Sequence, residues 1–216
     1  MKIQVDHIFI FTSKDAPEAG KLVEAGFLEG PRRVHTGQGT SNGCFFFDNM
    51  YLELIWVHDV DEARRADISL VERSSWKQSG YCPFGIGLRT VPDNSALPDI
   101  IKTSDYNPPY LPKGASIRTV DNPDNISIEP ELFFIPFSRK VSDEWRAHKN
   151  GVRDITAIKI VTPHFDKLSP QARYFQDLGV MSFRKGEKYL LELGFDNLSR
   201  RKTVDLRPDI PAKMCL

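Results

Sequence analysis

The chain has 216 residues, 40% hydrophobic and 27% charged, with 29 basic and 29 acidic side chains that cancel. That is enough chain for one large domain or two small ones, and zero net charge leaves no global field to draw in nucleic acid or an anionic membrane. Three widely spaced cysteines, Cys44, Cys82 and Cys215, form neither a disulfide framework nor a CxxC zinc site.

No apolar run reaches the length of a membrane span. The opening MKIQVDHIFIF carries Asp6 and His7 within its apolar stretch and has no small-residue cleavage site. It reads as a strand rather than a signal peptide, and a cytoplasmic location is expected.

The first predicted strand is Val5 to Thr12, with Val5, His7, Phe9 and Phe11 on one face and Ile8 and Ile10 on the other. A helix follows, with Asp15 as its N-cap, Pro17 in its first turn and Gly26 as its stop. Strands are expected near His35–Asn42 and at Cys44–Phe47 and Tyr51–Val57, the last two joined by a turn at Asp48-Asn49. In the last strand Tyr51, Glu53, Ile55 and Val57 share a face. Two strands thus each set one polar side chain, His7 or Glu53, among apolar neighbours. Residues 1–58 read as a βαβββ unit.

His58 to Ser79 is a charged, helix-compatible connector, capped by Asp59 or Asp61. Tyr81–Thr90 is a strand in which Gly85 and Gly87 mark a close approach of backbone or ligand. Val91–Pro112 reads mostly as loop, and Ser116–Val120 and Ile126–Phe137 as strands. Pro130 and Pro136 argue for a sheet edge or a bulge in the latter, and Ser138–Gly151 is a short helix or loop. Strands at Ile155–Thr162, Val180–Phe183, Tyr189–Phe195 and Thr203–Arg207, with a helix capped by Ser169 and Pro170, repeat the order strand, helix, strands. Aligning YLELIWV with YLLELGFD sets Glu192 opposite Glu53, and aligning the first strands sets Ala157 opposite His7.

The DHIFIFT strand, the HTGQGTSNGCFFFDNMYLELIWV block, CPFGIGLR, EPELFF and the closing DLRP together resemble the glyoxalase-like domain of the vicinal-oxygen-chelate superfamily. The resemblance implies an α+β fold: two βαβββ modules curl a mixed sheet around a cavity, and a proline-rich middle segment is inserted between them. The modules are expected at 1–58 and 152–216, with the connector and insertion at 59–151. It also implies a divalent metal held by strand residues, with His7, Glu53 and Glu192 at matching positions; Ala157 leaves the four-ligand set incomplete, with His164, Glu129 or Glu131 as replacements.

A free carboxylate such as Glu192 would then move a proton on a small substrate with adjacent oxygens, in a lyase, isomerase or dioxygenase type of reaction. The other reading of His7 and Glu53 is a buried hydrogen-bonded pair, and of the whole chain a metal-free protein that sequesters a small molecule. Gln38, Thr40 and Asn42 are either polar hooks for a substrate or ordinary hairpin residues, while His35 is as consistent with the surface as with a site. The TGQGTSN loop lacks the glycine spacing of a dinucleotide site. Arg89 and Arg207 either clamp a carboxylate or form surface ion pairs. The expected partner is a small molecule, with no nucleic acid and no membrane; a homodimer and a chain that closes its cavity alone are both open.

Overall fold

The computed structural model describes residues 1–66, 68–137 and 141–216. The first half runs β1 (Lys2–Phe11), α1 (Ala19–Glu24), β2 (Arg33–His35), β3 (Thr40–Phe46) and β4 (Tyr51–Val57), then the short helices α2 (Val60–Arg65), α3 (Leu70–Ser74) and α4 (Trp76–Ser79). The middle supplies β5 (Phe84–Val91), β6 (Thr103–Tyr106), β7 (Ile117–Val120) and β8 (Glu131–Phe134). The last third is β9 (Ile155–Thr162), α5 (Pro170–Asp177), β10 (Ser182–Lys185), β11 (Leu190–Phe195), β12 (Thr203–Asp205) and β13 (Ala212–Cys215).

Eight strands form one mixed sheet in the order β2-β3-β4-β1-β5-β8-β7-β6, and five form another in the order β10-β9-β11-β13-β12. The expected class, α+β with a mixed sheet, holds. The partner of the first module lies elsewhere than expected. β1 pairs in parallel with β4, and β5 in parallel with β8, so the eight-stranded sheet is the same strand pattern used twice and joined by the antiparallel β1–β5 pair. The second half of this sheet is the stretch read as an insertion. Residues 152–216 build a separate sheet in which β9 pairs with β10 and β11. The shared LEL wording misled because a half-buried strand needs only alternating apolar residues, whichever sheet it joins.

β8 is also an interior strand. Pro130 and Pro136 flank it, where no ladder N–H is required. Of the expected caps, Ser169 Oγ accepts from Ala172 N at 3.0 Å and Asp59 Oδ1 from Glu62 N at 2.9 Å. Asp15 caps nothing: α1 begins four residues later, and Glu18 turns back to accept from Ser13 N instead. The expected helix or loop at Ser138–Gly151 appears as a 3-10 turn at Asp143–Arg146, and its first three residues lie outside the described residues.

A bulge in β1 decides what faces where. Val5 pairs with Leu88 and His7 with Gly87, so Asp6 is an extra residue. Val5 therefore joins Ile8 and Ile10 in the main core rather than sharing a face with His7, Phe9 and Phe11. On that core side the C-terminal sheet and α5 pack against the large sheet, with Phe195 of β11 5.1 Å from Phe47 and Phe175 of α5 6.3 Å from Phe134 between ring centres. Buried Glu129 ties the two together by accepting from Ser169 N and Ser169 Oγ at the start of α5. The opposite side carries a smaller apolar cluster of Phe9, Phe11, Ile55 and Phe133 beneath Ala63 and Leu70 of α2 and α3.

Candidate active site

That second face opens into a cavity of about 530 Å³, within the range of sites for small metabolites. Phe9, Ile55, Ile117, Phe133 and Ile135 form apolar walls, and Asp6, His7, His35, Gln38, Asn42 and Glu53 form a polar one. The two ends of the sheet meet over it. From the β6–β7 side, Tyr106 Oη–H donates to Gln38 Oε1 at 2.9 Å, and Tyr110 stacks on His35 at 4.8 Å.

His7 and Glu53 enter this cavity from neighbouring strands, 6% and 5% exposed. The bulge sets Asp6 beside His7, and Asp6 Oδ1 accepts from His7 Nδ1–H at 2.9 Å. This bond holds the tautomer in which Nε2 faces Glu53. Nε2 and Glu53 Oε2 are 3.7 Å apart, too far to hydrogen-bond each other and too close for an atom in line between them, so the two stand side by side toward the cavity. The imidazole stacks on Tyr51 at 4.6 Å and lies over Gly87, where a Cβ would come within 2.4 Å of the ring. A Cβ on Gly85 would strike Phe9 in the same way. The two glycines of β5 are the close approach read from the sequence.

Glu53 Oε1 accepts from Asn42 Nδ2 at 2.5 Å, and the same amide reaches His35 Nε2 at 3.2 Å. His35 Nδ1–H then donates to Thr40 Oγ1, which also accepts from Gln38 Nε2. Burial lowers the His35 pKa, opposed by the Glu53 charge and assisted by Arg33, so this ring stays neutral. Burial likewise raises the phenols, Tyr106 to about 12 and Tyr110 above it, and keeps both protonated as donors. At the far end Arg73, fully buried, pairs with Glu131 at 3.0 Å and donates to the carbonyls of Cys82, Ile126 and Glu129.

The structure thus brings together His7, Glu53, Gln38 and Asn42, with Thr40 behind them as a hydrogen-bond partner. Glu192 is in the other sheet, ion-paired to Lys159 at 3.3 Å, and does not line the cavity. Arg207 pairs with Asp205 at 2.6 Å, and Arg89 lies opposite Gln4 outside the cavity. Of the possible replacement ligands, His164 lies beside Tyr189 and Glu129 is bound by Ser169, Asn122 and Asn125. Glu131 does line the cavity, held by Arg73. Asp6 and Tyr110 carried no signal of their own: one depends on a bulge, the other on a loop folding back.

These side chains do not fit a four-ligand metal site. The second half of the sheet presents Gly85, Gly87 and Phe133 where it would need donors, and Glu53 Oε1 is already bound by Asn42. Among the described residues no group of three or more His, Cys, Asp or Glu side chains is arranged to hold a metal. Asp6, His35 and Glu131 are engaged by His7, by Thr40 and Asn42, and by Arg73, and His7 Nε2 with Glu53 Oε2 alone fall short of the three or four protein ligands such sites use.

Among described residues, no helix is long and apolar enough to cross a membrane. Among curated proteins none matches the sequence. In fold the chain is similar to a hypothetical protein from Staphylococcus aureus, with a TM-score of 0.59 at 11% identity over 99% of both chains. A hypothetical protein from Bacillus halodurans C-125 aligns at 12% identity and a TM-score of 0.43, over 66% of this chain and 99% of that one. A methylmalonyl-CoA epimerase in complex with methylmalonyl-CoA and NH4+ aligns at 19% identity and a TM-score of 0.42, over 64% of this chain and 100% of that one. Residues 5–96, which carry His7, His35, Glu53 and both β5 glycines, match the family model of the glyoxalase-like domain. The match places a glyoxalase-like domain in the first part of the chain.

Proposed function

We propose that the cavity is the active site of a proton-transfer enzyme of the lyase or isomerase type, acting on a small, partly apolar substrate with adjacent oxygens. The observation that carries this reading is the buried Asp6–His7···Glu53 series, whose Nε2 and Oε2 lie 3.7 Å apart and do not bond each other. With a proton on Nε2 as well, His7 hydrogen-bonds a substrate oxygen and Asp6 balances the imidazolium. Glu53 Oε2 takes the proton from the adjacent carbon. Asn42 holds the other carboxylate oxygen, fixing the base. Return of the proton from Glu53 to the neighbouring carbon, with His7 passing its proton between the two oxygens, completes an isomerisation; loss of a leaving group from that neighbouring carbon completes an elimination. The apolar walls exclude water, which strengthens both steps. No step passes through a metal ion.

The test is wash-in of deuterium beside the carbonyl of small 2-hydroxy ketones and 2-oxo acids in D2O, followed by proton NMR. Glu53→Gln and His7→Ala are expected to slow exchange by about 10²–10⁴. A second reading, a protein that binds and sequesters a small molecule, draws support from the aromatic walls. Tight binding with no exchange by the wild type would establish it instead. A stoichiometric divalent ion in the purified protein, lost in His7→Ala, would replace both with a metal-based reaction.

A further inference from the structure

Among the described residues two arginines line the cavity, and they are treated differently. Arg73 is buried and balanced by Glu131. Arg33, on β2 at the mouth, has no acidic side chain within ion-pair distance among the described residues. Its neighbour Arg32 points the other way, pairing with Glu29 at 2.8 Å and lying over Trp56. Alternation along the strand sets Arg33 on the side of His35, the ring on which Tyr110 stacks. The Tyr110 hydroxyl also has no hydrogen-bond partner among the described residues. One guanidinium and one phenol therefore line the same rim, both donors, with no acceptor supplied by the described residues. A carboxylate satisfies a guanidinium bidentately and has a lone pair left for a phenol.

We propose that the ligand is a carboxylic acid, its carboxylate held at the rim by Arg33 and Tyr110 and its oxygen-bearing end reaching His7 and Glu53. The aromatic walls favour an aryl or branched alkyl body. This rests on the cavity being the ligand site, as argued above. A carboxylate placed at the reacting end would face Asp6 and Glu53, which repel it.

The experiment is calorimetric titration with 3-benzoylpropionate, 4-acetylbenzoate and 4-(hydroxyacetyl)benzoate, whose carboxylate is remote from the ketone, each against its uncharged primary amide. The wild type is expected to prefer at least one acid to its amide by about tenfold or more, the usual worth of a charge-assisted contact. Arg33→Gln should remove that preference by weakening the acid far more than the amide, and Arg33→Lys should restore part of it. Arg33 is exposed, and an unchanged thermal midpoint will show that the variants fold. Tyr110→Phe is expected to weaken the acid selectively. Equal affinity for every acid and its amide would overturn this inference and leave the cavity reading standing. A preference that survives in Arg33→Gln would also overturn it. Failure of all six compounds to bind the wild type would overturn both.

Discussion

Gly87→Ala tests the site through geometry alone, without knowledge of the substrate. A Cβ at Gly87 would lie 2.4 Å from His7 Cε1, 2.6 Å from Nδ1 and 2.9 Å from Nε2. Neither backbone can yield, because β1 and β5 are paired on both sides of this contact. The ring must therefore retreat by about 1 Å to reach ordinary contact distance. That motion stretches the 2.9 Å bond to Asp6 beyond hydrogen-bonding range and disturbs the stack on Tyr51. Overpacking of this kind costs about 1–3 kcal/mol. In a chain of this length it lowers Tm by about 2–12 °C. Thermal unfolding reads the cost, and the imidazole nitrogen shifts of His7 read the displacement. Gly20→Ala, where an added Cβ meets nothing, is the control and should not destabilise. An unchanged Tm together with unchanged His7 signals in Gly87→Ala would refute the arrangement.

Asp6→Ala removes the acceptor that holds Nδ1–H, so nitrogen-15 NMR should show His7 losing its single tautomer; one unchanged tautomer would mean that Asp6 does not orient it. Arg73→Met leaves the buried Glu131 and three carbonyls without their donor, and urea unfolding should register a loss of about 3–5 kcal/mol. A loss under about 1 kcal/mol would show that water replaces the guanidinium freely. Burial lowers the pKa of both His35 and His148, so the unfolded chain binds protons that the folded one refuses. Their contribution is complete above about pH 6.5 and is lost as pH falls through the lowered folded values, at up to about 1.4 kcal/mol per pH unit for each ring. Leu28 N donates to His148 Nδ1 in the folded state, so His148→Gln should flatten the slope measured by urea unfolding between pH 6.5 and 5. An unchanged slope would refute this.

Local pattern alone determined much of this protein. Alternation around His7 and around Glu53 identified two buried polar side chains on strands of one module, and the paired glycines of β5 announced a close approach. Those features depend on the period of a strand, which is written in consecutive residues. What tertiary structure alone decided is which strands share a sheet. The second half of the cavity comes from residues 84–134, whose loops and prolines hid it, while the better-looking repeat at 152–216 folded into a sheet of its own. Glu192 left the site with it. Hydrogen-bond ladders pair any two strands of matching face, so local wording does not choose the partner; packing of the whole core does. Asp6 and Tyr110 reached the cavity through a bulge and a returning loop, both set by contacts distant in the chain.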